Sequence, residues 1–252
     1  MKKTFYFIAT FVFVALLFCS CAMNKITTPL EVPDYDFSPP STVEPGSAGI
    51  KIALFEPIYQ GNFAYSEKSP FKQFRSSMGK DFEEILTARG YIVKGPYDGY
   101  DLMTYSDKTE CELGLFADIE MYISETSGGW RYSPPGAYGM GDVSRYQGTL
   151  TLSGKITLYV SETFTKQKLL VKSLPIPQTE IVVKAEGKYQ GFQQPNTIPL
   201  NNPGVHNPIA NALKEFYQST MKRVWDLLPK EDLIRIKNQV PQIRKEAGFI
   251  KQ

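Results

Sequence analysis

Leu113-Gly114-Leu115-Phe116-Ala117-Asp118-Ile119-Glu120-Met121-Tyr122-Ile123-Ser124 alternates without a break. Leu113, Leu115, Ala117, Ile119, Met121 and Ile123 share one face, and Asp118, Glu120 and Tyr122 share the other. Successive side chains of a strand point to opposite faces, so this period of two predicts a half-buried β-strand. Residues 150–160 repeat the pattern, with Leu150, Leu152, Ile156, Leu158 and Val160 inward and Thr151, Lys155, Thr157 and Tyr159 outward. A sheet with one wet face is usually antiparallel, so antiparallel pairing is expected. Residues 169–171 and 181–185 add strands, and residues 165–167 read as a hairpin turn.

Working outward, residues 50–55 are a strand stopped by Pro57. Residues 70–89 form the strongest helix pattern. Phe71, Phe74, Met78, Phe82, Ile85 and Leu86 recur at helical spacing, Ser69 and Pro70 suit its start and Gly90 its end. Tyr91-Ile92-Val93 reads as a short return strand. Residues 191–206 read as loop, Asn207 and Pro208 open a second helix that Pro229 ends, and residues 231–240 form a shorter one. The order strand, helix, strands, helix predicts an α+β domain: an antiparallel sheet with two main helices packed on one face. There is no internal repeat and no heptad run.

The start of the chain is different in kind. Lys2 and Lys3 precede a nearly unbroken apolar run over residues 4–18, with Ser20 and Ala22 after it. This is a secretory signal, shorter than the roughly 20 residues that a membrane span needs. Leu16-Leu17-Phe18-Cys19-Ser20-Cys21 resembles the lipobox of bacterial lipoproteins, in which the cysteine after a small residue is acylated and becomes the mature N-terminus. Phe18 departs from the usual aliphatic residue. Cys21 is therefore the expected lipidation site, and its acyl chains make the membrane a partner. The non-acidic Ala22 points to the outer membrane. Residues 21–48, with Pro29, Pro33, Pro39, Pro40 and Pro45 and few large aliphatics, read as a tether, leaving 49–252 as the single α+β domain.

Charge and cysteine content exclude several functions. The formal charge of +2 belongs to Lys2 and Lys3, so the chain beyond residue 20 is neutral. A nucleic-acid-binding protein carries a basic excess, so no nucleic-acid partner is expected. Only Cys21 and Cys111 remain after the signal, so there is no disulfide framework. One histidine, His206, cannot build a Cys/His zinc site with them. No phosphate-binding loop, dinucleotide fingerprint or Gly-x-Ser-x-Gly turn is present, so no cofactor, metal or catalytic residue is assigned.

Four segments in this order carry a family resemblance. They are Lys51-Ile52-Ala53-Leu54-Phe55-Glu56-Pro57, Phe82-Glu83-Glu84-Ile85-Leu86-Thr87-Ala88-Arg89-Gly90-Tyr91, residues 115–123, and Ile209-Ala210-Asn211-Ala212-Leu213. Together, over residues 49–240, they resemble the neuraminyllactose-binding haemagglutinin, or adhesin A, family of bacterial lipoproteins. The resemblance implies an outer-membrane-associated, non-enzymatic lipoprotein that binds sialylated glycans. The alternative is a periplasm-facing assembly or secretion lipoprotein that binds envelope proteins.

The candidate ligand-binding segment is 126–148, read as an elongated hairpin connection. It holds Trp130, Arg131, Tyr132, Tyr138, Arg145 and Tyr146 among six glycines. Aromatic faces stack on sugars, and an arginine grips a carboxylate bidentately. The same aromatics could instead fold back onto the sheet. Cys111 with His206, Glu83 with Glu84, and Asp118 with Glu120 are weaker constellations. Each is also explained by a core cysteine, a loop histidine or a solvated face. The stretch of Tyr97, Tyr100, Tyr105, Asp98, Asp101 and Asp107 reads as a polar loop.

Overall fold

The computed structural model describes residues 29–133, 143–188 and 198–249. The short strands are β1 (Lys51–Phe55), β2 (Ile58–Tyr59) and β3 (Ile92–Tyr97). The long ones are β4 (Leu113–Ser133), β5 (Val143–Glu162) and β6 (Lys168–Lys188). The helices are α1 (Phe71–Ala88), α2 (Tyr105–Glu110), α3 (Pro203–Leu227), α4 (Lys230–Lys237) and α5 (Val240–Glu246). One sheet runs β3-β1-β4-β5-β6, with β2 added beside β4. The fold is α+β, as the element order predicts.

The sheet is mixed rather than antiparallel. β4, β5 and β6 pair antiparallel, but β1 lies parallel to both β3 and β4. The reason is the connection: a strand reached through a crossover helix returns in the same direction. The alternating faces of β4 and β5 behave as read, since Leu113, Leu115, Ala117, Ile119, Leu150, Leu152, Ile156, Leu158 and Val160 are all buried. α1 and α3 cover this face with Phe71, Phe74, Met78, Phe82, Ile85, Leu213, Tyr217, Met221 and Val224. Pro175 and Pro177 are tolerated in β6 because it is an edge strand and one side needs no donor.

α1 ends as expected. Gly90 sits at φ +82°, Gly90 N donates to Thr87 O at 2.9 Å and Tyr91 N to Leu86 O at 3.1 Å. This pair of bonds is a Schellman termination. The start differs. No side chain caps α1, and Ser69 Oγ lies 2.8 Å from His206 Nε2 instead. α3 begins at Pro203, four residues before the expected start, because the Asn202 side chain accepts from Gly204 N. Pro208 falls inside the helix. The polar loop after β3 is more ordered than its composition suggests. It holds a 3-10 turn at Tyr100–Leu102 and α2, whose Thr104 and Asp107 form a capping box.

The described part of the expected tether, from Pro29 on, is a strap across the helices. Val43 N bonds to Ala88 O and Ala48 N to Gly90 O, both at 2.9 Å. Higher up, Phe37 is buried, and Tyr35 packs edge-on against Phe74 at 5.7 Å. The Gln218 amide donates to Asp36 O. At the far end Glu31 N donates to Asn207 Oδ1 at 3.0 Å, and Asn207 Nδ2 donates to Pro29 O at 3.2 Å. Two aromatic anchors in a proline-rich stretch suffice to bury it, which counting aliphatics misses.

The strap crosses a buried carboxylate. Asp81 is 3% exposed and accepts from Tyr217 Oη at 2.7 Å. Burial pushes its pKa up to about 6, against the lowering effect of the Tyr217 and Phe37 hydrogen bonds. The folded chain thus holds this proton more tightly than the unfolded chain. Its stabilisation is complete below the unfolded pKa of about 4 and fades as pH rises through about 6. Asp81→Asn is therefore expected to gain melting temperature relative to wild type as pH goes from 4.5 to 7.5. A variant-minus-wild-type difference that stays constant over that range would refute the assignment.

A second buried charge ties the C-terminus to the sheet. Glu162 is fully buried, and its Oε1 lies 2.7 Å from Arg244 Nε. Glu162 Oε2 accepts from Phe164 N and Thr165 N in the β5–β6 turn. Arg244 also donates to Lys108 O at 3.1 Å and Thr163 Oγ1 at 3.0 Å, fastening α5 to both α2 and the turn.

Candidate functional site

The segment expected as a ligand-binding loop is mostly strand. β4 continues to Ser133 and β5 begins at Val143, so Trp130 stands opposite Tyr146, Arg131 opposite Arg145 and Tyr132 opposite Ser144. Tyr138 and Cys21 lie outside the described residues. Glycines disguise the strands because they leave no alternation to read. Their role here is close approach: a Cβ on Gly148 would fall 2.2 Å from Ser127 O. β4, β5 and β6 have 21, 20 and 21 residues. At about 3.3 Å per residue each runs for about 65–70 Å, so the three form an arm that continues past the helices.

A concavity lies at the base of this arm. β2 pairs with β4 for only two rungs, Ile58 with Asp118 and Tyr59 with Ile119. Gln60 N then donates to Ile119 O at 2.9 Å, and the chain turns away at Gly61. Between residues 60–65 and residues 120–124 of β4 a groove of about 590 Å³ remains. Phe63 and Tyr65 form one wall with the amides of Gln60 and Asn62, and Tyr122 stands at the other, 62% exposed. Phe63 is held by Tyr59 at 5.1 Å and by Phe71 edge-on at 5.0 Å, while Tyr65 Oη accepts from Ile198 N at 3.2 Å. These walls are pre-positioned by the core.

The floor of the groove is backbone. Ile119 directs its carbonyl to this edge, and the strand repeat puts the polar groups of Met121 and Ile123 on the same edge. Among the described residues, no strand continues along it beyond Ile119. Glu120 lines the groove, but its carboxylate is paired with Lys155 Nζ at 3.1 Å. No cation lines the groove among the described residues.

The other aromatic surface offers no platform. Phe55, Phe116 and Tyr159 stack on the outer sheet face, with centroids 3.9 and 4.8 Å apart, and Lys168 Nζ caps Tyr159 at 3.9 Å. Their ring faces are used on one another.

The remaining sequence candidates are separated. Cys111 is fully buried in a small cluster with Ala53, Phe55 and Met103. Burial pushes its thiol up to about 11, the opposite of what a nucleophile needs. His206 is 1% exposed and held between Ser69 Oγ at 2.8 Å and Asn207 Oδ1 at 3.1 Å. Serine, histidine and asparagine in a row resemble a proton relay, but the Asn207 amide is occupied by the strap at Pro29 and Glu31. The trio acts as a joint between the strap, α1 and α3. No group of three acidic, cysteine or histidine residues suited to a metal occurs among the described residues. No helix among them is long and apolar enough to cross a membrane.

In the sequence Tyr122 is marked only as a wet-face residue, and residues 60–65 carry no periodic pattern. The sole local signal is the Gln60-Gly61-Asn62 turn between aromatic residues.

No family model and no curated protein matches this chain. Solved structures do. A Helicobacter pylori protein described as a neuraminyllactose-binding hemagglutinin homolog overlays with a TM-score of 0.56 at 17% identity, covering 81% of this chain and 98% of that one. A Xanthomonas campestris protein overlays with a TM-score of 0.36 at 6% identity over 88% and 99% of the two chains. A Neisseria meningitidis lipoprotein overlays with a TM-score of 0.24 at 13% identity over 57% and 88%. The first of these shows a shared fold.

Proposed function

We propose that the chain is a lipoprotein of the bacterial envelope, anchored through acylated Cys21, whose domain binds a glycan without transforming it. The groove at the base of the arm carries the reading: an exposed tyrosine faces a fixed wall of two aromatic rings, with Gln60 and Asn62 beside them, around a 590 Å³ space. Aromatic faces with amide hydrogen bonds suit a sugar chain. The described hemagglutinin homolog of like fold supports glycan as the ligand class. Among the described residues no cation lines the groove, which favours a neutral sugar there over a sialic acid.

The open backbone edge of β4 favours a second reading, in which an extended segment of an envelope protein adds as a strand. Two experiments separate these. Tyr122→Ala is expected to lower binding on a glycan array at least tenfold with an unchanged melting temperature. An array with no signal, together with protein crosslinks to residues 60–65, would replace the glycan by a protein partner. Cys21→Ser is expected to move the chain from the membrane to the soluble fraction. Retention in the membrane with the signal removed would overturn the anchor. Protease shaving of intact cells, beside a periplasmic control, decides which side of the outer membrane the domain faces.

A further inference from the structure

We infer that the ligand of the groove is a neutral glycan of N-acetylated amino sugars, whose acetamido group seats between β4 and the Gln60–Asn62 wall as a peptide unit seats between two strands. The inference rests on the glycan reading of this groove and adds the class of sugar to it.

The two sides of the groove differ in chemistry. One side is an open backbone edge. Gln60 N donates to Ile119 O at 2.9 Å, which fixes the direction in which that edge points. The strand period of two turns the N–H and C=O groups of Met121 and Ile123 the same way. Among the described residues no strand takes up these groups. The other side carries the exposed side-chain amides of Gln60 and Asn62, both of which line the groove.

An amide fits between these two sides. In a trans amide the N–H and the C=O point in opposite directions. One of them then meets a β4 backbone group while the other meets a side-chain amide, which both donates and accepts. A sheet neighbour sits about 4.8 Å away on each side, so a hydroxyl, with donor and acceptor on one atom, reaches only one wall. The acetyl methyl finds apolar cover. Phe63 and Ile123 are half-buried, pack on the core and line the same space. The sugar ring itself has the faces of Tyr65 and Tyr122.

Two further observations narrow the ligand. Glu120 is engaged by Lys155 at 3.1 Å, and no cation lines the groove among the described residues, so a neutral sugar enters without stranding a charge. The pairing of β4 with β5 shifts register between Glu125 and Ser127. A bulge bends its strand, so an added peptide of the usual length, about five or six residues, would run into that bend. A single acetamido group needs one rung and stops short of it.

Chitotetraose and cellotetraose provide the test. They share one linkage and one ring, and differ only in carrying an acetamido group or a hydroxyl at the second carbon of each sugar. The full-length mature chain, held in a zwitterionic detergent free of sugar, is titrated with each by calorimetry. Chitotetraose is expected to bind at least about tenfold more tightly, and to slow amide exchange at Met121 or Ile123, which cellotetraose leaves unchanged. In the double variant Gln60→Leu with Asn62→Leu the preference is expected to shrink by at least about threefold. Equal binding of the two tetraoses overturns the inference and leaves the glycan reading standing. A preference that the double variant keeps in full overturns it too, because the second wall then takes no part. If neither tetraose binds, the inference falls, and the glycan array then decides the glycan reading separately: a signal from another sugar upholds that reading, and a silent array removes it.

Discussion

Arg244→Met is expected to cost about 3–5 kcal/mol, because it leaves the fully buried Glu162 carboxylate without its cation. For a domain of this size that corresponds to a melting-temperature drop on the order of 10 °C. The loss has several parts. Thr163 Oγ1 loses the guanidinium as a donor, Lys108 O keeps only the Thr163 hydroxyl at 2.9 Å, and α5 loses its main polar hold on the β5–β6 turn. The two backbone donors at Phe164 and Thr165 remain with Glu162, so the carboxylate is not wholly stranded. The double variant Arg244→Met with Glu162→Gln removes both charges and keeps an acceptor at the turn. It is expected to be more stable than Arg244→Met alone. Thermal unfolding followed by circular dichroism checks both. A drop of under about 2 °C for the single variant would show that water or a neighbouring lysine replaces the guanidinium.

Gly90→Val is the second large effect, expected at more than about 2 kcal/mol. Two independent causes act at this residue. Its φ of +82° is left-handed, which a β-branched side chain resists. A Cβ there would also fall 2.4 Å from Ser47 Oγ and 2.9 Å from Val43 Cγ2, where the strap crosses the end of α1. Gly90→Ala adds the same Cβ, with the strain and both contacts, and leaves out only the β-branch, so the difference between alanine and valine reads the added bulk. Valine is expected to loosen the strap as well as the helix end, read as faster amide exchange at Val43 and Ala48. These amides bond to Ala88 O and Gly90 O. An unchanged melting temperature for valine would mean that the helix end re-forms without its left-handed residue.

These effects also mark how far local sequence reaches. Gly90 was legible as a helix end because a terminating glycine follows from chain geometry alone. The alternating β4 and β5 stretches were legible for the same kind of reason: burial on one face imposes a period of two. Where glycine erased the period, over residues 126–133 and 143–148, the strands read as loop. Arg244 had no signal at all, since its partner lies 82 residues away.

The sequence by itself determined the α+β class, the sites of α1 and the alternating strands, the neutral charge beyond residue 20 and the expectation of lipid at Cys21. Each depends on neighbours within a few turns or rungs. Only the tertiary structure decided that β1 runs parallel to β4, that residues 29–48 strap the helices, and that the groove forms where β2 stops short. The place where Pro29 and Glu31 meet the start of α3 was decided there too. Those features depend on which distant segments share a backbone edge or a buried surface, and no local period records that.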